Sequence, residues 1–224
     1  MSTIVGKDLT KQYGYDDSTV YAIKEVNFRI NTGEFVSIMG ESGAGKSTIL
    51  SIMGAMNAPS SGKLVVDDID IYDLGKEQRA DFRREFLGFI FQSFHLIPYL
   101  TVLENVMLPL TTVKISRKEK SRMAGDALKW VGLEDKRGRL PSQISGGEKE
   151  RVAIARAIVN DPPILLADEP TGNLDTKTSG EIMALLKRLN TEGTTVIMVT
   201  HSVECSSAAQ RVLHVTDGQV YEPN

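Results

Sequence analysis

Gly40-Glu41-Ser42-Gly43-Ala44-Gly45-Lys46-Ser47 satisfies the pattern G-x-x-x-x-G-K-[ST] at every fixed position. Phe35-Val36-Ser37-Ile38-Met39 precedes it, short, apolar and β-prone; Thr48-Ile49-Leu50-Ser51-Ile52-Met53 follows and reads as a helix. Strand, glycine loop and helix are the context in which this pattern cradles phosphate. The glycines let successive backbone N–H groups converge on one anion, and the helix behind them points its positive end at the same place. Lys46 then reaches β- and γ-phosphates, and Ser47 offers its hydroxyl to Mg²⁺.

Working outward, the chain reads as an alternation. Residues 3–9 and 20–30 are expected strands joined by a polar turn at Tyr13-Gly14-Tyr15-Asp16-Asp17, and 63–66 is a further strand before an exposed turn at Asp67-Asp68. That turn, with Asp70 and Asp73, lacks the glycine and the twelfth-position glutamate of a calcium loop. A helix is expected at 76–86 and a buried strand at 87–91, closed by Gln92. Helices follow at 101–110, 116–131 and 147–159. Ile164-Leu165-Leu166-Ala167 is an apolar strand ending in Asp168-Glu169. A helix at 176–190, a strand at 194–199 with His201 just beyond it, and a hairpin at 211–221 turning on Asp217-Gly218 complete the chain. Strands alternating with helices predict an α/β fold with a mostly parallel sheet. Residues 3–30 add an N-terminal antiparallel sheet, and 96–159, poor in strand signal, an inserted helical subdomain. The rest, 1–95 and 160–224, forms one nucleotide-binding core.

Composition narrows the classes. The chain has 224 residues, 41% of them hydrophobic, enough for one substantial domain. A net charge of −3 gives no overall attraction to nucleic acid, and none is expected as a partner. Cys205 is the only cysteine, so no intramolecular disulfide forms. The first residues lack the basic-then-apolar plan of a secretory leader. No run approaches the roughly 18 apolar residues that span a bilayer. The expected location is the cytoplasm, with any membrane role acting through a partner. The basic run Lys114, Arg117, Lys118, Lys120 and Arg122 reads as a solvated helix face or as a contact for acidic lipid headgroups.

Two further motifs carry chemistry. Asp168 and Glu169 stand at the carboxyl end of a buried strand, where open parallel sheets collect their ligands. Asp168 is placed to hold Mg²⁺, and Glu169 to accept a proton from an attacking water. Ser145-Gly146-Gly147-Glu148 opens a helix containing Arg151 and Arg156, which makes a second anion-binding end. Two such sites in one chain are reconciled if two copies pack head to tail, each phosphate loop facing the other's serine-glycine turn.

With these residues in place the chain resembles the nucleotide-binding subunits of the ATP-binding-cassette family, nearly end to end. Residues 40–48 match its phosphate loop, Gln92 its glutamine loop, and Ser145-Gly146-Gly147-Glu148-Lys149 its signature, with Ile144 and Glu148 where leucine and glutamine are commonest. Ile164–Glu169 match its metal-binding strand and catalytic glutamate, Gly172-Asn173-Leu174-Asp175 its D-loop, and His201 its switch histidine. Phe91–Pro98 and Ala167–Asp175 further resemble the group of macrolide exporters, lipoprotein-release ATPases and the cell-division ATPase.

The resemblance implies a P-loop NTPase core and an Mg-dependent ATPase. It implies adenine stacking on Tyr13 and phosphate contacts from Gly40, Glu41, Ser42, Gly43, Ala44, Gly45, Lys46, Ser47 and Thr48. Metal contacts fall to Ser47, Gln92 and Asp168. Glu169, His201, Lys46 and Gln92 are the implied catalytic set, with Ser145, Gly146, Gly147 and Asp175 serving the nucleotide across a dimer. A separate integral membrane subunit is the implied partner, placing the chain on the inner face of the membrane. Phe94, Leu96, Ile97, Tyr99 and Leu100 form either its docking groove or part of the helical subdomain's packing. The competing function is a soluble cassette of DNA repair or translation. Repair members split the cassette around a long coiled coil and translation members carry two in tandem; this chain does neither.

Overall fold

The computed structural model describes residues 3–14 and 19–222. Its centre is a six-stranded sheet in the order β10-β9-β3-β8-β7-β6. Here β3 is Phe35–Gly40, β6 Leu87–Ile90, β7 Ile164–Asp168, β8 Thr195–Thr200, β9 Arg211–Thr216 and β10 Gln219–Tyr221. All neighbours are parallel except the β9–β10 hairpin. Period-two alternation splits the side chains between two cores. Phe35, Leu165, Ala167, Val196 and Met198 face one. Val36, Ile38, Leu166, Ile197 and Val199 face the other. Burial on both faces explains why these strands read as continuous apolar runs.

The first core is covered by α3 (Val102–Met107), α4 (Arg117–Trp130), α5 (Gly146–Ile158) and α6 (Thr176–Thr191). The second is covered by α1 (Lys46–Met53) and by a four-stranded antiparallel sheet. That sheet runs β2-β1-β4-β5, with β1 Ile4–Tyr13, β2 Val20–Ile30, β4 Ser61–Val66 and β5 Ile69–Asp70. Helix α2, Lys76–Phe86, falls where the sequence puts it.

Departures from the sequence reading have local causes. Strand β1 runs to Tyr13 rather than residue 9, because register shifts after Gly6 and Leu9 break its alternation. Tyr13 is therefore the end of a strand, and residues 15–17 of the expected turn lie outside the described ones. The helix at 101–110 stops at Met107 and tightens into a 3₁₀ turn over Leu108–Thr112, where Pro109 has no N–H for the ladder. A one-turn helix, α7 (Val203–Ser206), follows His201 and went unread. Asp67 and Asp68 make a two-residue hairpin turn at φ 48° and 65°. On α4, Arg122 pairs with Glu119 and Asp126, as a solvated face should.

Candidate active site

The phosphate loop leaves β3 at its carboxyl end and enters α1 through Gly45, whose φ of 108° suits glycine alone. Lys46 is buried, 6% exposed, and its ammonium donates to the carbonyls of Gly40 and Glu41 at 2.8 Å each. A buried cation bent over its own loop is held where an anion in that loop would meet it.

Two further strand ends bring the remaining groups alongside. Ser47 Oγ donates to Asp168 Oδ1 at 3.3 Å, across from the end of β7. Burial pushes the Asp168 carboxyl up from its ordinary range; the Ser47 hydrogen bond opposes this, the Glu169 charge adds to it, and Lys46 pulls it back. A hydroxyl and a desolvated carboxylate are donors a hard divalent cation accepts. Among the described residues no group of three or more His, Cys, Asp or Glu converges.

Glu169 follows at φ 47°, a left-handed conformation that costs a non-glycine residue free energy and clusters at functional sites. Its N–H donates to Val199 O at 2.9 Å, locking it to β8. Its Oε2 lies 2.5 Å from His201 Nδ1, just past the end of β8. Glu169 is withdrawn and His201 open, at 14% and 63% side-chain exposure, so the histidine presents its other nitrogen outward.

A cavity of about 820 Å³ lies beside the loop, lined by Gly40–Ala44, His201, Tyr21, His214 and Tyr221 among others. Tyr13, Gln92 and Ser145–Gly147 do not line it. Tyr13 is half exposed; its hydroxyl accepts from Asn57 Nδ2 at 2.8 Å, and Lys11 sits 5.2 Å from its ring centre. Gln92 is exposed, and its carbonyl accepts from Asn173 Nδ2 at 3.2 Å.

Ser145 caps α5 in a reciprocal box. Its Oγ accepts from Glu148 N at 3.2 Å, and Glu148 Oε2 accepts from Ser145 N at 2.8 Å. The Ser145 N–H holds the Glu148 carboxyl below its usual range. Glutamate in place of glutamine thus makes the cap charge-assisted. Asp175 caps α6, accepting from Thr178 N at 3.0 Å and Thr178 Oγ1 at 2.6 Å, with its carboxyl lowered by that hydroxyl first. The two turns touch: Gly147 abuts Thr178, and Gly146 packs near Leu174.

The cluster Phe94, Leu96, Ile97, Tyr99 and Leu100 is part packed and part open. Leu96 packs against the first core, and Tyr99 alone of the five is exposed, at 78%. The segment is pinned by Asn105, fully buried. Asn105 accepts from Ile97 N at 2.7 Å and donates to the carbonyls of Ile97, Leu100 and Thr101. Nothing in the sequence around Asn105 signalled that role. Arg156 and Asn173 stand inside quoted motifs, yet their contacts to the glutamine loop have no sequence signature.

A sequence model of ABC transporters matches residues 23–172, more than half of the chain. The chain belongs to the ABC transporter family. It is 48% identical over 219 residues to the uncharacterized ABC transporter ATP-binding protein MJ0796 of Methanocaldococcus jannaschii, covering 96% of this chain and 93% of that one. A dimeric structure of the MJ0796 cassette superposes with a TM-score of 0.90 at 46% identity, over 98% of this chain and 97% of that one. A second dimeric structure of MJ0796, in a post-hydrolysis state bound to ADP and Pi, gives 0.90 at 45% over the same shares. The macrolide export ATP-binding/permease protein MacB of Vibrio parahaemolyticus is 40% identical over 96% of this chain, which spans 33% of that longer protein. This chain is a cassette of that kind: it binds ATP and is an ATPase of the transporter family.

Proposed function

We propose that two copies of this cassette close head to tail on Mg-ATP and reopen after hydrolysis, driving a separate membrane subunit for export, lipoprotein release or mechanotransmission. One observation carries this. The phosphate loop, Asp168, Glu169 and His201 gather at one end of the sheet, while Ser145–Gly147, which open α5, hydrogen-bond to none of them and do not line the cavity beside the loop. A second anion-binding turn with no hydrogen bond to its own phosphate loop is explained by a neighbour's. The dimeric MJ0796 cassettes, one holding ADP and Pi, support it.

In this reading the backbone N–H groups of residues 40–48 and the Lys46 ammonium bind the β- and γ-phosphates, with a hydroxyl from Thr48. Ser47 and Asp168, with Gln92 from the neighbouring loop, would hold Mg²⁺, which would neutralise charge on the phosphate oxygens. Glu169 takes the proton of the attacking water, and His201, bonded to it, orients it and meets the γ-phosphate. Tyr13 stacks on adenine, whose π-face any aromatic ring can meet. Ser145 and Gly147 of one copy donate to the γ-phosphate of the other, Gly146 lets the backbones approach, and Asp175 bridges the copies. Residues 96–159, without a strand among them, act as a helical subdomain on the core formed by 1–95 and 160–224.

The membrane subunit is a proposal supported by MacB, whose name joins ATP-binding and permease functions. Among the described residues no helix is long and apolar enough to cross a membrane. The proposed location is therefore the cytoplasmic face, reached through that subunit, with no nucleic-acid partner. Its place on the cassette is a groove of about 410 Å³ between α2, β6 and the 3₁₀ turn, lined by Arg83, Phe89, Leu108 and Thr112.

Glu169→Gln tests the closure. It keeps the shape of the base and removes its basicity, so turnover should fall at least about a hundredfold while Mg-ATP still binds. The trapped nucleotide should hold a dimer on size exclusion with ATP, not with ADP, and Ser145→Arg should dissolve it. A variant equally dimeric with ADP would contradict the composite site. The assay is repeated with the membrane subunit present, because a weak intrinsic dimer would otherwise stay monomeric.

A further inference from the structure

The loop after β6 carries Gln92, and two residues later its backbone enters a costly conformation. Phe94 and His95 are consecutive non-glycine residues at φ 59° and 45°. Such residues stay left-handed only where the surroundings impose it. The side chain that imposes it belongs to another element. Arg156, on α5, donates from Nη2 to Phe94 O and from Nη1 to His95 O, each at 2.6 Å. It is 9% exposed, so a permanent cation has been taken out of water to grip two carbonyls. Glu150, on the same helix and 1% exposed, offsets that cost only in part, because burial holds its own carboxyl toward the neutral form. On either side the loop is fixed independently, by Asn173 at the Gln92 carbonyl and by Asn105 at Ile97. The Phe94–His95 corner has Arg156 as its anchor.

We propose that Arg156 is a positioning residue for Gln92: its grip on the carbonyls of Phe94 and His95 sets where the glutamine side chain leaves the sheet. This rests on the reading of Gln92 given above. The anchor also stands on the helix that opens with Ser145, about 16 Å along a rigid rod. A displacement of the Ser145 turn is thereby carried to Gln92 of the same chain, in addition to any path through the nucleotide.

The test uses the full chain with Arg156→Lys and Arg156→Met. A lysine keeps the charge but has no planar fork to hold two carbonyls at once. In the nucleotide-free protein, hydrogen exchange of the 93–96 amides should quicken roughly tenfold in both variants, with α1 and β3 unchanged. Turnover should fall about tenfold while the affinity for a fluorescent ATP analogue stays within about twofold, since the phosphate loop is untouched. Adding His95→Gly to Arg156→Lys makes one left-handed residue free of steric cost and should recover part of the lost turnover. Unchanged exchange at 93–96 in a folded variant would overturn the proposal. Faster exchange with normal turnover would overturn it too, by showing a pinned loop that positions nothing. Should Arg156→Met fail to fold, Arg156→Lys decides. The exchange measurement needs no nucleotide, so it stands apart from failure of the composite site, which the Glu169→Gln dimer reports separately.

Discussion

Glu150 is the residue whose environment most departs from its chemistry. It is a carboxylate with one oxygen unpartnered in the core, where α5 packs against the sheet. Burial pushes its pKa up to about 8, and Arg156 only partly opposes this. A folded-state value above the ordinary one means that the folded chain keeps a proton that the unfolded chain releases. The stability this lends is full below the ordinary carboxylate value and is lost as pH rises through about 8. Glu150→Gln imitates the protonated form at every pH. Its melting temperature should exceed the wild type's by more at about pH 9 than at about pH 6, by several degrees. An equal gap at both would mean that Glu150 is ionised when folded.

At the scale of elements, the α5–α6 junction combines packing and chemistry at one glycine. A Cβ at Gly147 would overlap the γ-methyl of Thr178, the same threonine that Asp175 holds as its cap. Gly147 is therefore required by the free monomer as well as by the proposed contact with a neighbour's phosphate. Gly147→Ala should lower stability by about 1–3 kcal/mol through overpacking. Thr178→Ser removes the offending methyl and keeps the hydroxyl that donates to Asp175. The double variant should regain thermal stability but not turnover. If turnover returns with stability, Gly147 is a packing residue only, and the phosphate assignment falls on Ser145 alone.

For the whole molecule, two cores share one parallel sheet, and the phosphate loop stands at the carboxyl ends of its strands, where such sheets place their ligands. The groove between α2, β6 and the 3₁₀ turn is near Arg156, which lines it. Movement of a bound membrane segment would thus be felt at the anchor of the glutamine loop. Leu108 is half-buried on that rim, and Leu108→Asp should abolish co-purification of the membrane subunit while ATP affinity is retained. Full recovery of the complex would move the docking site elsewhere.

The sequence by itself determined the sheet, most helices and which residues stand at the strand ends. Those depend on local period and short motifs: continuous apolar runs for two-sided strands, glycines and a lysine at fixed spacing, carboxylates just after a buried strand. It also led to the family that the comparisons show. Tertiary structure alone decided what holds the glutamine loop. Arg156 is 61 and 62 residues from its two carbonyl partners, and Asn173 is 81 from Gln92, distances no local pattern records. It likewise packed Leu96 against the first core. An apolar cluster in a loop reads the same whether the chain turns it inward or outward; here Leu96 goes inward and Tyr99 stays open, with Asn105 pinning the segment. Hydrophobic period reports which faces are buried; which polar side chain reaches which distant backbone group depends on how the layers stack.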